Sequence, residues 1–525
     1  MFLYKTLKRL RVLLSLFVFV GMSYYFAMVR AEFIVWFSPI KWQFIPAVLG
    51  TFAAAAWVLL ILLLISLLFG RLYCSTLCPL GTLQDINIRI AKFFEGKKRK
   101  QFAYRAPHNL LRYGLLAVVA ACFLVGLTLP LLLLDPYSNF GRIASLLCRP
   151  IMFVLNNFAS HIAPDHIYYQ SYAPLSWASY FWPALFLLLV VWLSTFRGRL
   201  FCNTLCPAGS CLGLVSKYAA FRPSMDASKC NHCGLCSMKC KAECINSKEG
   251  SIDHSRCVMC FNCLTVCKKD ALHYSFSWQA GKAKVLPAAQ SPSPSIPSSD
   301  SNTSPASRRK FFLTAGGVVG AAAVYRLSTD GGALLGAPKD KKGTISPPGC
   351  GGVERLKQFC TACQACVTAC PSHIIRPTLQ GYGLDGLMLP ALSYEHGFCN
   401  YDCKRCAEVC PTHAILPLSL EEKKLVRIGK AKLHLRRCIV ITDGTDCGAC
   451  DEHCPTKAVH MVPTGENSLR EPVVDVEYCI GCGGCEFICP ATPKAIEIHA
   501  LAVHEIADFP EVEEQKKVED VGFGF

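Results

Sequence analysis

Gly70-Arg-Leu-Tyr-Cys-Ser-Thr-Leu-Cys-Pro-Leu-Gly81 recurs later in the chain as Gly198-Arg-Leu-Phe-Cys-Asn-Thr-Leu-Cys-Pro-Ala-Gly209. Each copy closes an apolar stretch. Four such stretches stand out, near Val12 to Met28, Phe44 to Phe69, Leu110 to Leu134 and Trp177 to Phe196. Each is about 17 to 26 residues, long enough to cross a bilayer as a helix. The expectation is a four-helix membrane anchor over residues 1–222 in which helices 1 and 2 are repeated, in parallel, as helices 3 and 4. The first apolar run is long and lacks a clear small-residue cleavage site, so it reads as an anchor rather than a removable signal.

The repeat brings Cys74, Cys78, Cys202 and Cys206 to one membrane face, enough thiols for one iron-sulfur cluster. A helix cap alone does not explain two copies at equivalent positions, so the set reads as a metal or redox site. Cys122, within the third stretch, reads as a small core residue. Orientation follows from charge. Lys5, Lys8, Arg9 and Arg11 precede helix 1, and the loop after helix 2 carries Arg71, Arg89, Lys92, Lys97, Lys98, Arg99, Lys100 and Arg105, whereas the opposite loops hold Arg30, Lys41, Arg142 and Arg149. The positive-inside bias then puts the N-terminus, the 70–109 loop and the segment after helix 4 in the cytoplasm of a bacterial inner membrane.

Composition agrees with a membrane protein. Of 525 residues, 52% are hydrophobic and 17% charged, and mean hydropathy is +0.32, which excludes a disordered chain. The 33 cysteines fall in clustered runs, as metal sites do, rather than as a disulfide framework. The formal charge of +17 counts every thiol as neutral. Six 4Fe-4S clusters on 24 thiolates would bring it to about +5, so it is no argument for nucleic acid.

After helix 4 come Cys230, Cys233, Cys236, Cys240 and then Cys257, Cys260, Cys263, Cys267, both spaced x2, x2, x3 as in bacterial two-cluster ferredoxins. Residues 223–280 therefore read as an α+β ferredoxin-like module. Its expected ligand sets are crossed, Cys230, Cys233, Cys236 with Cys267 and Cys257, Cys260, Cys263 with Cys240. Zinc favours separated Cys-x2-Cys knuckles and fits poorly. Lys241 and Lys268 replace the usual proline and should alter local electrostatics. Cys244 and Cys211 are surplus thiols without an evident partner.

Residues 281–306 are a Ser/Pro/Ala tether. Ser307-Arg308-Arg309-Lys310-Phe311-Phe312 and the Gly/Ala-rich run after it (307–325) resemble a twin-arginine export signal placed inside the chain, a route that moves folded, cofactor-loaded proteins. The region 339–525 carries four more quartets: Cys360, Cys363, Cys366, Cys370; Cys399, Cys403, Cys406, Cys410; Cys438, Cys447, Cys450, Cys454; and Cys479, Cys482, Cys485, Cys489. Pro371, Pro411, Pro455 and Pro490 follow them. The expectation is four clusters, paired first with fourth and second with third, whose binding supplies much of the folding energy. His373 and His413 read as solvated residues near clusters, Asp135 as a turn residue, and the acidic tail around Glu511, Glu513, Glu514, Glu519 and Asp520 as a solvated end. No haem-attachment, phosphate-loop or dinucleotide motif and no catalytic constellation is present.

The duplicated Cys-x3-Cys-Pro with its eight-cysteine module resembles the NapH-type quinol dehydrogenase membrane component of periplasmic nitrate reductase systems, a group similar to the membrane iron-sulfur part of nitrous oxide reductase regulators and of cytochrome oxidase assembly proteins. The part after the twin arginines, from Ser346-Pro-Pro-Gly-Cys350 onward, resembles the NapG/MauM ferredoxin-type proteins. The resemblance implies a fused electron-transfer unit that oxidises menaquinol or ubiquinol and feeds a reductase or cytochrome outside the cytoplasmic membrane, with a periplasmic C-terminal domain. Its rival is a redox assembly or regulatory protein for a metalloenzyme. Six 4Fe-4S clusters are expected, and a seventh where the membrane-face thiols also hold one.

Overall fold

The computed structural model describes residues 2–27, 43–50, 53–95, 102–162, 164, 168–169, 175–226, 228–276, 342–463 and 469–508. The tether, the twin-arginine segment and the acidic tail lie outside the described residues. The chain divides into two compact units, one built mainly on residues before 277 and one mainly on residues after 341.

The Phe2–Ala27 helix of the first unit buries Arg11, Ser15, Val18, Met22 and Phe26, a stripe recurring every three or four residues. Leu10, Leu13, Leu14, Phe17 and Val20 stay exposed. An apolar outer face over a partly polar inner one suits a helix solvated by lipid. Among the described residues, three helices are long and apolar enough to cross a membrane, Phe2–Ala27, Pro136–Ile162 and Trp177–Arg197. The chain is membrane-associated by this measure.

The four-helix expectation is corrected in two places. The second apolar stretch breaks after Phe44–Leu49, where Gly50 is extended, and resumes as Ala53–Phe69. The third breaks between Asn109–Leu124 and Leu129–Leu134, with Gly126 at φ +84°. The longer pieces have 17 and 16 residues, against 21 to 27 in the three longest apolar helices among the described residues. Conversely, Pro136–Ile162, expected as a loop, is one continuous helical run with π geometry over Ile143–Cys148. Arg142 and Arg149, which interrupt its hydropathy, are 1% and 5% exposed and so are interior residues rather than loop charges. Asp135 caps this run, accepting from the backbone N–H of Tyr137 at 3.1 Å and of Ser138 at 2.9 Å, which is the expected turn role.

The boundary expected between residues 222 and 223 falls inside a strand. Phe221–Met225 pairs antiparallel with Leu272–Phe276, Phe221 opposite Phe276 and Met225 opposite Leu272. The eight-cysteine module and the membrane helices also share one buried core, in which Phe186 and Val190 join Cys74, Cys202, Cys240 and Cys260. After residue 341 the described residues of the second unit form helices of three to seven residues and two-stranded ribbons. The longest ribbon pairs Val426–Leu433 with Ile496–Ile506. Elements this short are unstable alone, so what lies between them must hold them.

Candidate iron-sulfur sites

The four runs with strict Cys-x2-Cys-x2-Cys spacing share a backbone device. The residues just before and just after the second cysteine have positive φ: His232 and Gly234, Met259 and Phe261, Ala362 and Gln364, Gly481 and Gly483. Two left-handed residues around one cysteine turn the loop so that three sulfurs converge and backbone N–H groups point inward, a concavity suited to an anionic group. At Gly483 a Cβ would stand 2.3 Å from the Tyr394 ring, so glycine is required there twice over. The third residue after the last cysteine is also left-handed in five of the six runs, at Glu243, Asp270, His373, His413 and Lys457. His373 and His413 thus occupy a turn position of the loop.

The convergence assembles the first module's cysteines in the crossed sets. One cavity is lined by Cys230, Cys233, Cys236 and Cys267, another by Cys240, Cys257, Cys260 and Cys263. Cys244, seemingly unpartnered in the sequence, lines the second cavity with its sulfur 3.5 Å from Cys240. Its hydrogen bond pulls the Cys240 thiol down from its ordinary value, toward the thiolate a metal ligand needs.

The second unit overturns the expected nesting. Cys360, Cys363 and Cys366 share a cavity with Cys410, and Cys438, Cys447 and Cys450 share one with Cys489. Cys370 stands with Cys399, Cys403 and Cys406, and Cys454 with Cys479, Cys482 and Cys485, each near enough to bear on the others' ionisation. The quartets pair first with second and third with fourth, each sending its last cysteine to its neighbour. Short connections favour this arrangement over closure across the whole unit. The two pairs abut where the Cys399 N–H donates to the Cys482 carbonyl at 2.9 Å. Tyr394 sits at this junction, its hydroxyl donating to the Gly481 carbonyl at 2.6 Å. Cys350, fully buried, lies beside Cys360, Cys406 and Cys410 as a fifth thiol, which spacing alone does not reveal.

The duplicated motif makes one site. Cys74, Cys78, Cys202 and Cys206 are each 3–4% exposed and mutually close. Cys78 and Cys206 precede the prolines that open the Pro79–Glu95 and Pro207–Ser216 helices. The Gly209 N–H donates to the Cys206 sulfur at 3.2 Å, placing that sulfur at the positive end of a helix. Arg71 and Arg199, the second residues of the two copies, reach across: Arg71 Nη2 donates to the Cys202 carbonyl at 2.8 Å, and Arg199 Nη1 donates to the Cys74 carbonyl. Gln84 Nε2 donates to the Cys202 sulfur at 3.2 Å. Asp85 receives Arg199 at 2.9 Å and Lys241 at 3.0 Å. Burial by itself would raise the Asp85 carboxyl, but Arg199 and Lys241 hold it well below the usual carboxylate range. Lys241, which replaces the usual proline, therefore docks the eight-cysteine module on the four-thiol site. The glycine-arginine pair opening each copy was the available sequence signal for these clamps.

In the second unit, His434, Glu497 and His499 also bring ligand atoms within 4.8 Å of one another, but Arg437 engages Glu497 at 3.4 Å and Lys432 and Lys430 lie opposite Glu497 and His499 across the ribbon. This is a cross-strand polar cluster with a surplus of positive charge.

Comparisons with known proteins agree with the thiol geometry. A 4Fe-4S binding domain model matches residues 50–101 and 179–225, the two motif copies, and 4Fe-4S dicluster domain models match 359–415 and 444–492. Ferredoxin-type protein NapF of Escherichia coli K12 is 26% identical over 172 residues, 32% of this chain and 94% of NapF. The putative electron transport protein YccM of the same organism is 25% identical over 205 residues, 38% of this chain and half of YccM. An uncharacterized Methanocaldococcus jannaschii protein, MJ0750, is 26% identical over 221 residues, 42% of this chain and 79% of that protein. No solved structure matches. The chain is an iron-sulfur electron-transfer protein, with 4Fe-4S domains beside helices able to cross a membrane.

Proposed function

We propose that this protein carries electrons from membrane quinol through 4Fe-4S clusters to a periplasmic reductase or cytochrome. The observation that carries the reading is the sorting of 28 cysteines into seven sets of four, one of them at the ends of two apolar helices, Ala53–Phe69 and the membrane-length Trp177–Arg197. The ligand sets are those grouped above, with Cys74, Cys78, Cys202 and Cys206 as the seventh. When bound, each cluster stores and passes single electrons; a quinol gives up two electrons and two protons, the protons to water, and leaves as quinone. The chain's part is placement: left-handed loops hold the sulfurs, helix N-termini and guanidinium groups supply positive charge, and burial excludes water. The resemblance to NapH-type and NapG/MauM-type proteins supports quinol as donor and the periplasm as destination.

The test is reduction of anaerobic holo-protein, reconstituted in lipid, by a reduced menaquinone analogue, followed by EPR. Quinol-dependent cluster signals are expected. If dithionite reduces the clusters and no quinol does, the reading fails and an assembly or regulatory role takes its place. Topology has its own test: Arg308→Lys with Arg309→Lys should leave a reporter fused after Phe525 in the cytoplasm, and a reporter still exported would refute the twin-arginine route.

A further inference from the structure

Buried cations surround the four-thiol site and outnumber the carboxylate paired with them. Arg71 and Arg199 are fully buried, and Arg11 and Arg112 are 4% and 2% exposed. Arg11 and Arg112 each follow a leucine near the start of an apolar stretch, in Leu10-Arg11 and Leu111-Arg112. They reach one motif copy each, Arg11 donating to the Ser75 carbonyl at 3.0 Å and Arg112 to the Gly209 carbonyl at 3.5 Å. With Lys241 they make five cations, and among the described residues Asp85 is the only carboxylate in ion-pair range of any of them. Arg71 has none: it donates to the Cys202 carbonyl, to Asn203 at 2.8 Å, to the Ser255 carbonyl at 3.2 Å and toward the Cys74 sulfur at 3.8 Å.

Buried guanidinium groups without counter-ions are costly unless the site carries negative charge of its own. Four thiolates around a 4Fe-4S core form a dianion, which is that charge. The cage does more than balance it. Each electron added makes the bound unit more negative, and surrounding positive charge favours the added electron, as does an N–H donor to a ligand sulfur. Gln84 supplies such a donor to Cys202 in one half only, the equivalent position in the other copy being Leu212.

Resting on the reading that these thiols hold a cluster, we infer that Arg71, Arg199 and Gln84 are potential-setting residues that make this the highest-potential cluster of the chain, and so the one matched to accept electrons from quinol. Arg71 and Arg199 also act in trans between the halves, so neither copy of the motif makes the site alone.

Iron analysis and EPR-monitored redox titration of holo-protein test this, using wild type, Arg71→Gln and Gln84→Leu. Wild type should hold about 28 irons per chain at four per cluster. In both variants the highest-potential centre alone should shift downward, with a smaller shift in Gln84→Leu, whose new residue already fits the symmetric position. If Arg71→Gln instead sheds four irons, the highest-potential signal should be the one that disappears. A highest-potential centre that is unmoved in both variants, or that survives the loss of four irons, overturns the inference while leaving the cluster in place. About 24 irons in wild type refutes the cluster itself, and the inference with it.

Discussion

At the residue scale, close approach decides the four-thiol site. A Cβ on Gly81 would lie 2.3 Å from the Cys74 carbonyl oxygen, and one on Gly209 would lie 2.2 Å from that of Cys202, with the crossing guanidinium groups of Arg199 and Arg71 next nearest. Backbone cannot yield at those distances. Gly81→Ala and Gly209→Ala should each cost about 1–3 kcal/mol through overpacking. Each should also release about four irons while sparing the ferredoxin-type clusters; thermal melting and iron analysis of the purified variants check both effects. An alanine variant with wild-type melting and iron content would show that the two loops are not clamped as described. The symmetry of these glycines was legible in the repeat. The partners they admit were not, because a crossing contact leaves no local spacing.

At the element scale, the cysteine loops follow from spacing and the pairing of loops does not. Strict Cys-x2-Cys-x2-Cys runs produce the two flanking left-handed residues, whichever residue types stand there. The runs at Cys399 and Cys438, with longer first gaps, lack them at the corresponding positions. Which loop completes which cavity depends on chain direction after the last cysteine. Cys360→Ser with Cys410→Ser should therefore remove one cluster, about four irons, because both residues line one cavity. Cys360→Ser with Cys489→Ser should disturb two clusters, with up to about eight irons at risk. The reverse ranking would restore the nested pairing. The membrane helices show the same limit. Hydropathy found the ends of the bundle but missed Pro136–Ile162, since a buried arginine inside a helix looks like a loop charge until its surroundings are known.

At the scale of the whole molecule, the two units differ in what holds them. The first has long helices and an extended apolar core around its thiols. The second has short elements whose core is interleaved with Cys370, Cys438, Cys479, Cys485 and Cys489. Removing iron by chelation in acid-free buffer should unfold the second unit and leave the helical signal of the first largely intact, because metal binding there is folding free energy. Circular dichroism with limited proteolysis reads this directly. Protease resistance after residue 341 in iron-free protein would count against it.

The sequence by itself determined the chemistry: clustered cysteines at ferredoxin spacing and a duplicated thiol motif at apolar helix ends. These are periodic, local signals, and loop stereochemistry converts them to structure without help from distant residues. Only the tertiary structure decided the sequential pairing of the C-terminal quartets, the merging of the first ferredoxin-like module with the membrane helices through Lys241 and Asp85, and the arginine cage. Each of these depends on charges and carbonyls that are far apart in the chain and become partners only when burial removes the water that would otherwise solvate them.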